Sequence, residues 1–514
     1  MAKALHIDLH KVANFTNASL VILNVAFFFA GIYFSFYFHF FTIALLFVNI
    51  VNFFYRHIQT EHTLLRNFGI LGQARYLIES IGPEIRQYLI ASDTEERPFN
   101  RDERSEVYRK AKNVDSAASF GSHMNFDSTE IKVRHSMFPS DIEGLAPFRV
   151  TFGEARGVAQ PYTIEKPLII SAMSYGALGM SAVRALARGA SLAGIPMNTG
   201  EGGFPKYHLM EEGDLIYQIG TAKFGVRKED GSLDSDKLVE IASKPQVKMI
   251  EIKLSQGAKP GKGGLLPKEK ITQEIAELRG IPQDRDAVSP RHHVECTDID
   301  STLAFISKIQ GLVDLPVGIK ICLGSAREFE DFVRGMVENE TFPDWITVDG
   351  AEGGTGAAPQ AFMDRVGVPL YPALHTVNTL LKKYGIRDRI RILASGKLIT
   401  PSKKFTAMAL RADAITSARG FMLALGCIQA LQCGNNTCPI GITTHDPSLQ
   451  AGLIPEVKAE RVKNYVNNTV HDLKELLAAS GKKCLSDLSI DQLYIPGDSS
   501  LTPFLTSTPL TSIQ

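Results

Sequence analysis

Residues 249–264, MIEIKLSQGAKPGKGG, pass from an apolar run into a loop of lysines and glycines within a few positions. A short run that is apolar on both faces suits a parallel strand buried between layers, and a polar, glycine-bounded loop after it suits the end where a site is built. The same passage recurs as PLIISAMS at 167–174, IPMNTGEGG at 195–203, PVGIKICLG at 316–324, WITVDGAEGG at 345–354, RILASGKL at 391–398 and AITSARG at 414–420. LIYQIG at 215–220 is a less regular member. Helical stretches lie between the runs, as in KEKITQEIAELRG at 268–280, where Ile271, Ile275 and Leu278 fall on one face. About eight βα units over roughly 280 residues make an α/β protein with the size of a TIM (β/α)8 barrel. A doubly wound sheet is the alternative, and the barrel is favoured because nearly every strand is followed by polar and glycine-rich residues.

Upstream of the repeats the composition changes. No charged residue occurs from Val12 to Tyr55, and eleven of the 29 phenylalanines fall between Leu20 and Tyr55. As one helix this segment would run ~66 Å, whereas a hydrocarbon core is ~30 Å thick, so two spans fit, near Leu20 to Tyr37 and Phe40 to Tyr55. The segment is too long for a signal peptide, and a transmembrane helical hairpin preceding the barrel is expected. Asn24, His39, Asn49 and Asn52 keep a buried or interfacial helix pair as the other reading. Lys3 and Lys11 before the hairpin and Arg56 and Arg66 after it put both ends, and the catalytic domain, in the cytoplasm by the positive-inside rule. The expected organisation is a hairpin at 1–57, a charged leader packing on the barrel at 58–160, the barrel with its cysteine loop at 161–447, and a helix with a Pro/Ser/Thr-rich tail at 448–514. Across all 514 residues, 55 lysines and arginines balance 55 aspartates and glutamates, so no global field attracts nucleic acid.

Three of the six cysteines, Cys427, Cys433 and Cys438, share the segment GCIQALQCGNNTCPIG at spacings of six and five. A reduced compartment makes such a cluster a metal or iron-sulfur site before a disulfide framework. Three ligands suit a three-iron cluster, or a four-iron cluster with a foreign ligand, while structural zinc usually shows CxxC pairs and a fourth ligand. A second signal is a set of glycine-bounded polar clusters: NTGEGG at 198–203, KLSQGAKPGKGG at 253–264, DGAEGGTGA at 349–357 and Ser395 to Lys397. Glycines let backbone amides approach a phosphate, and the last loops of a barrel commonly hold one. Glu201, Lys253 and Lys259 sit in these clusters, and Lys320 within the apolar run PVGIKICLG. His292 and His293 are adjacent, so on a strand at most one could enter a pocket. His445, in THDP after the cysteines, reads as an ordinary loop histidine or an outer partner of the cysteine site.

SAMSYGALG, GEGG, KLSQGAKPGKGG, SPRHH, the GGTGA run and CIQALQCGNNTCPIG occur in the order, from about residue 95 to 447, that resembles the synthase domain of glutamate synthases. The resemblance implies an oxidoreductase acting on CH-NH2 donors: an FMN-binding barrel with a 3Fe-4S cluster that reductively aminates 2-oxoglutarate, or a similar 2-oxo acid, to L-glutamate. By motif, Lys253, Glu201, Arg279 and Lys259 would hold the 2-oxo acid, with Lys253, Glu201 and Lys320 in the chemistry. Lys320 and the amides at Met173 and Ser174 would face the flavin ring, with Asn198, Gln218 and Asp349 also on the cofactor. Gly353, Gly354, Ser395, Gly396 and Lys397 would lie near its phosphate, and Cys427, Cys433 and Cys438 would ligate the cluster. Leu265 stands where the family usually has glutamine, and Arg291 where it has proline.

The chain opens Met1, Ala2, Lys3 rather than with the nucleophilic cysteine of a glutaminase domain, so nitrogen is expected as ammonia or an amine from elsewhere. Electrons are expected from a ferredoxin, a reductase subunit or a membrane carrier, because no GxGxxG opens a helix after a strand. An N-methylglutamate synthase type of amine transfer, or a non-catalytic flavin and iron-sulfur electron-transfer subunit, are the alternatives. Lys253, Glu201 and Arg279 favour turnover.

Overall fold

The computed structural model describes residues 9–114, 117, 119, 121–122, 130–204 and 206–496. Every run read above is a strand: β1 Leu168–Ile170, β2 Met197–Asn198, β3 Leu215–Ile219, β4 Val247–Lys253, β5 Val317–Ile321, β6 Trp345–Asp349, β7 Arg391–Ser395 and β8 Ala414–Ser417. They follow one another around a closed parallel barrel in chain order, with β8 returning to β1 through Ile415 opposite Leu168. The two-residue alternation of each strand separates two environments. Leu168, Ile170, Ile250, Ile252, Val317, Ile319, Ile346 and Val348 face outward into the core shared with the helices. Ile169, Ile216, Met249, Trp345, Leu393 and Ala414 face inward, where a small hairpin of Val150–Phe152 and Tyr162–Ile164 joins them as a plug. Phe152 meets the Trp345 ring edge to face at 5.7 Å. The indole fits because β5 carries glycine beside it: a Cβ on Gly318 would lie 2.1 Å from the Trp345 ring.

The helix Gln273–Arg279 is shorter at its start than the apolar spacing suggests. Thr272 caps it by accepting from the Ile275 amide, so Ile271 lies outside the helix and packs from the preceding turn. The C-terminal stretch forms one long helix, Pro455–Ala479, packed on Met180–Ala193 and on Arg101–Lys112. A Cβ on Gly189 would meet Val462 at 2.5 Å, so this glycine sets the close approach of the first pair. The tail beyond is not wholly loose: Leu493–Tyr494 pairs antiparallel with Lys132–Val133, while 497–514 lie outside the described residues.

The chain divides between Pro98 and Phe99 into two units, so the stretch 58–160 is shared between them. The N-terminal unit contains the helices Leu9–Tyr33 and Phe38–Phe53, the second continuing to Ile58, and both are long and apolar enough to cross a bilayer. The break falls at residues 34–37, a little before the turn expected from composition. The amides that could have argued against a hairpin lie on its seam. Asn52 donates to Asn17 Oδ1 at 2.8 Å, Asn24 to the Thr42 carbonyl at 2.9 Å and Asn49 to the Leu20 carbonyl at 3.2 Å. Phe27 stacks on Phe41, and Gly31 leaves room for the His39 ring, which a Cβ would meet at 2.4 Å. Val21, Phe29, Ile43, Phe47 and Ile50 face outward, exposed.

Gly318→Ala drives a methyl into the Trp345 ring. The expected loss of stability is about 1–3 kcal/mol, as for overpacking a filled core. It is read as a lower unfolding midpoint of the purified protein; an unchanged midpoint would mean that the plug has slack.

Candidate functional site

Above the apolar plug the inward positions turn polar. Glu251, two residues before Lys253 on the same face of β4, is 2% exposed. Its carboxylate accepts from Asn198 Nδ2 at 2.8 Å, Gln218 Nε2 at 2.7 Å and Thr347 Oγ1 at 2.6 Å. Strands β2, β3 and β6 are thereby tied to one charge. Lys320, on the next strand, lies 3.4 Å from Asp349 Oδ2. Burial works to strip its proton, but Asp349, Glu251 and Glu201 outweigh burial and hold Lys320 above the ordinary lysine range. Asp349 also accepts from the Gly257 amide at 2.9 Å, joining the loop after β4 to β6. Gly257 has to be glycine, since a Cβ there would stand 1.9 Å from the Gly350 carbonyl oxygen.

Next outward is a cationic group. Lys253 Nζ pairs with Glu201 Oε1 at 2.5 Å. Burial alone would raise the Glu201 carboxyl, but Lys253, Lys259 and Arg279 together hold it below the usual carboxylate range. Lys259, donating to the Ala357 carbonyl at 2.7 Å, is brought down to about 8 by burial and by Lys253. Arg279 reaches in from the last turn of its helix to donate to the Tyr175 carbonyl at 2.8 Å, and burial lowers it to about 10 against the pull of Glu201. Glycines make the space: a Cβ on Gly220 would be 2.5 Å from Glu201 Oε2, and one on Gly202 2.9 Å from an Arg279 nitrogen. The loop carrying Glu201 lies against Met173 and Ser174, because Gly200, at φ +69°, would place a Cβ 2.6 Å from the Ser174 amide nitrogen. Glu201 Oε2 and Arg279 Nε are buried and have no hydrogen-bond partner among the described residues. An acceptor and a donor left open in a cationic recess form a receptor for a polar ligand.

Sequence neighbours separate here. His293 is buried and its Nε2 lies 3.0 Å from the Lys253 carbonyl, so it braces the backbone under the lysine, while His292 is exposed. The pair sits in a bend rather than on a strand. Leu265 starts a two-residue strand beside Gly264, whose Cβ would touch Glu201 Oε1 at 2.7 Å, whereas Arg291 is exposed at the surface. His445 Nε2 is spent on the Gly176 carbonyl at 2.9 Å.

A second depression lies at the ends of β7 and β8, lined by Gly353, Gly354, Ser395, Gly396, Lys397 and Arg419. Arg419 stands just before the closing glycine of the quoted run AITSARG and has no local signal of its own. Its guanidinium donates to the Glu352 carbonyl at 2.6 Å, and a Cβ on Gly354 would come within 2.9 Å of its Nε. Lys397 adopts a left-handed backbone at φ 48°, and burial together with Arg419 lowers it from the ordinary lysine value. Two cations beside glycines that expose backbone are the donor set a flavin phosphate needs, so these residues fit FMN. Asn198 and Gln218 each donate one amide N–H to Glu251. Glu251, Thr347 and Arg419 are the site residues that the sequence reading missed; the signal for Glu251 was its two-residue spacing from Lys253.

The six cysteines are free thiols. Among the described residues no three cysteine, histidine or carboxylate side chains converge as they would on a single metal ion. A cluster asks for something else, one thiolate for each of several irons. Cys427, Cys433 and Cys438 share a loop with left-handed residues at Gln429, Leu431 and Asn436. Tyr108 donates to the Cys427 carbonyl at 2.5 Å, Gln429 is bonded to both backbone groups of Phe99, and Lys270 donates to the Cys433 carbonyl at 3.2 Å. Burial would raise the Cys438 thiol, but the neighbouring amides of Thr443, Ile440 and Ile442 hold it below the usual value, and the Gln429 amide donates to Cys427 Sγ at 3.4 Å. Backbone N–H groups aimed at a thiolate sulfur fit an iron-sulfur ligand.

Residues 102–483 match the conserved region of glutamate synthase. A glutamate synthase large subunit-like protein of Bacillus subtilis is 40% identical over 461 residues, covering 82% of this chain and 88% of the relative. An archaeal glutamate synthase [NADPH] of Methanocaldococcus jannaschii is 35% identical over 331 residues, and an archaeal-type glutamate synthase [NADPH] of Thermotoga neapolitana 35% over 333. These two matches cover 64% of this chain and 62% of each relative, so the chain spans about three-fifths of their length. With that match laid over a closed barrel whose strand ends carry the motif residues, the chain belongs to the glutamate synthase family of enzymes.

Proposed function

We propose that the barrel binds FMN and a 3Fe-4S cluster and reductively aminates 2-oxoglutarate, or a 2-oxo acid of the same charge, to L-glutamate. Ammonia or an amine supplies the nitrogen, and a separate donor supplies the electrons. The observation that carries this reading is the charge balance of the recess: Lys253, Lys259 and Arg279 surround one carboxylate, Glu201. Within this outer group the cations outnumber the carboxylate by two, which suits a dicarboxylate ligand. When bound, FMN supplies the hydride and the cluster delivers electrons singly. The protein's part is positioning and proton handling. Arg279 offers a planar donor edge for a carboxylate, and its open Nε is part of that edge. Glu201 holds Lys253 at one orientation, and Lys253 Nζ can give its proton to the departing keto oxygen. Lys320, kept charged by the carboxylates around it, favours negative charge on a ring beside it. For the N-terminal unit, its outward apolar surface and inward amides support a membrane anchor. Lys11, Arg56 and Arg66 support a cytoplasmic barrel by the positive-inside rule.

Arg279→Lys removes the bidentate edge and should weaken 2-oxoglutarate by roughly 1.5–3 kcal/mol, the scale of a charge-assisted hydrogen bond. In stopped flow, dithionite-reduced wild type should be reoxidised by 2-oxoglutarate with ammonium, and the variant far more slowly at equal FMN content. Equal rates, or no reoxidation of wild type by any 2-oxo acid, would replace the synthase reading with an electron relay. Cys433→Ser should abolish the paramagnetic signal of the oxidised cluster while leaving the flavin bound; a persisting signal would reassign the ligands. The full-length protein should stay with membranes through carbonate extraction, and recovery in the supernatant would remove the anchor.

A further inference from the structure

The C-terminal helix Pro455–Ala479 stands outside the barrel repeat, yet one of its side chains reaches the backbone of the loop that lines the depression at the ends of β7 and β8. Tyr465 is fully buried, and its hydroxyl lies 2.6 Å from the Ile399 carbonyl oxygen. Lys404, 1% exposed, donates to that same carbonyl at 2.7 Å and to the Tyr465 hydroxyl oxygen at 2.8 Å. Ile399 and the preceding Leu398 line the depression. The Leu398 carbonyl is held too, accepting from Ser417 Oγ at 3.1 Å. The hydroxyl can come this close only because residue 420 is glycine: a Cβ on Gly420 would stand 2.6 Å from it.

We propose that Tyr465 and Lys404 are positioning residues that hold the loop Ser395–Thr400 in the form that accepts a phosphate, an inference that rests on the FMN reading above. In a trans peptide the C=O and the following N–H point in opposite directions. Pinning two successive carbonyls from behind keeps their oxygens, which would repel a phosphate, from turning toward it. A peptide flip at Ile399 would forfeit both of its side-chain donors and leave a buried lysine and phenol without this partner. The clamp is braced from further out. Glu106 acts on Lys404, and Lys110, on the same helix Arg101–Lys112, pairs with Asp472 of the C-terminal helix. Phe421 packs edge to face on the Tyr465 ring at 5.3 Å, so the ring is fixed independently of its hydroxyl.

The test compares FMN with riboflavin, which lacks the phosphate, by fluorescence titration of full-length detergent-solubilised protein stripped of flavin. Tyr465→Phe keeps the ring packing and removes the hydroxyl. It should raise the Kd for FMN about tenfold, the scale of one buried hydrogen bond, and leave that for riboflavin unchanged. Gly420→Ala pushes the hydroxyl away and should give the same selective loss, which keeps the test open if either variant folds poorly. Equal losses for both flavins, or no loss for FMN in either variant, would overturn the clamp while leaving FMN binding in place. Wild type that binds FMN no better than riboflavin would overturn the phosphate reading itself, and the clamp with it.

Discussion

A carboxylate sealed inside a barrel has to be answered by donors, and Glu251 sets that requirement for this protein. Removing an ion from water costs several kcal/mol unless hydrogen bonds and an opposite charge replace the water. The answering groups come from different strands: Asn198 from β2, Gln218 from β3, Thr347 from β6 and, through charge, Lys320 from β5. A shift of one residue in any of these strands would turn its polar side chain outward among the helices and bring an aliphatic one in. Satisfying Glu251 therefore fixes the register of half the barrel. It also places Lys253 and Lys320 side by side, since they are register partners on β4 and β5.

The layering follows from that register. Below Glu251 the interior is apolar, filled by Trp345 against Gly318 and closed by the Phe152 hairpin. Above it the groups become ionic, from Lys320 and Asp349 to Lys253, Glu201, Lys259 and Arg279. An apolar floor under an ionic recess keeps the charges from escaping into solvent on that side and strengthens their mutual influence. Loop glycines do the rest, letting backbone and side chains of three loops occupy nearly the same space. The two depressions lie at the same C-terminal end because every loop after a strand emerges there.

The N-terminal unit inverts the ordinary distribution. Its amides meet at the seam between two helices, and Val21, Phe29, Ile43, Phe47 and Ile50 face out. In water this arrangement would expose a large apolar surface, whereas in hydrocarbon it satisfies the amides and solvates the rest. Asn52 adds a further constraint, because its Oδ1 accepts from the Ile70 amide at 2.8 Å where Gly69, at φ +63°, turns the chain.

How much could be read without the fold depends on the range of the interaction. The eight strands were legible because burial on both faces writes an apolar run whatever the neighbours are. The cysteine loop, the glycine clusters and the hairpin were legible for the same reason, since spacing and composition are local. Thr272 was read past: a cap costs one residue and leaves no periodic signal, so the helix start came out too early. Glu251 is a single charge in an apolar run, and its partners lie up to 96 positions away. Arg279, Glu201 and Lys253 carried the family pattern, yet their shared recess exists only once three loops meet. The sequence by itself determined the strands, the loop chemistry and the family, because those depend on solvation of each residue and its near neighbours. Only the tertiary structure decided that Arg419 faces the glycines after β6, that His293 rather than His292 turns inward, and that Tyr465 reaches Ile399. Each of those depends on a contact between segments distant in sequence, which no local periodicity encodes.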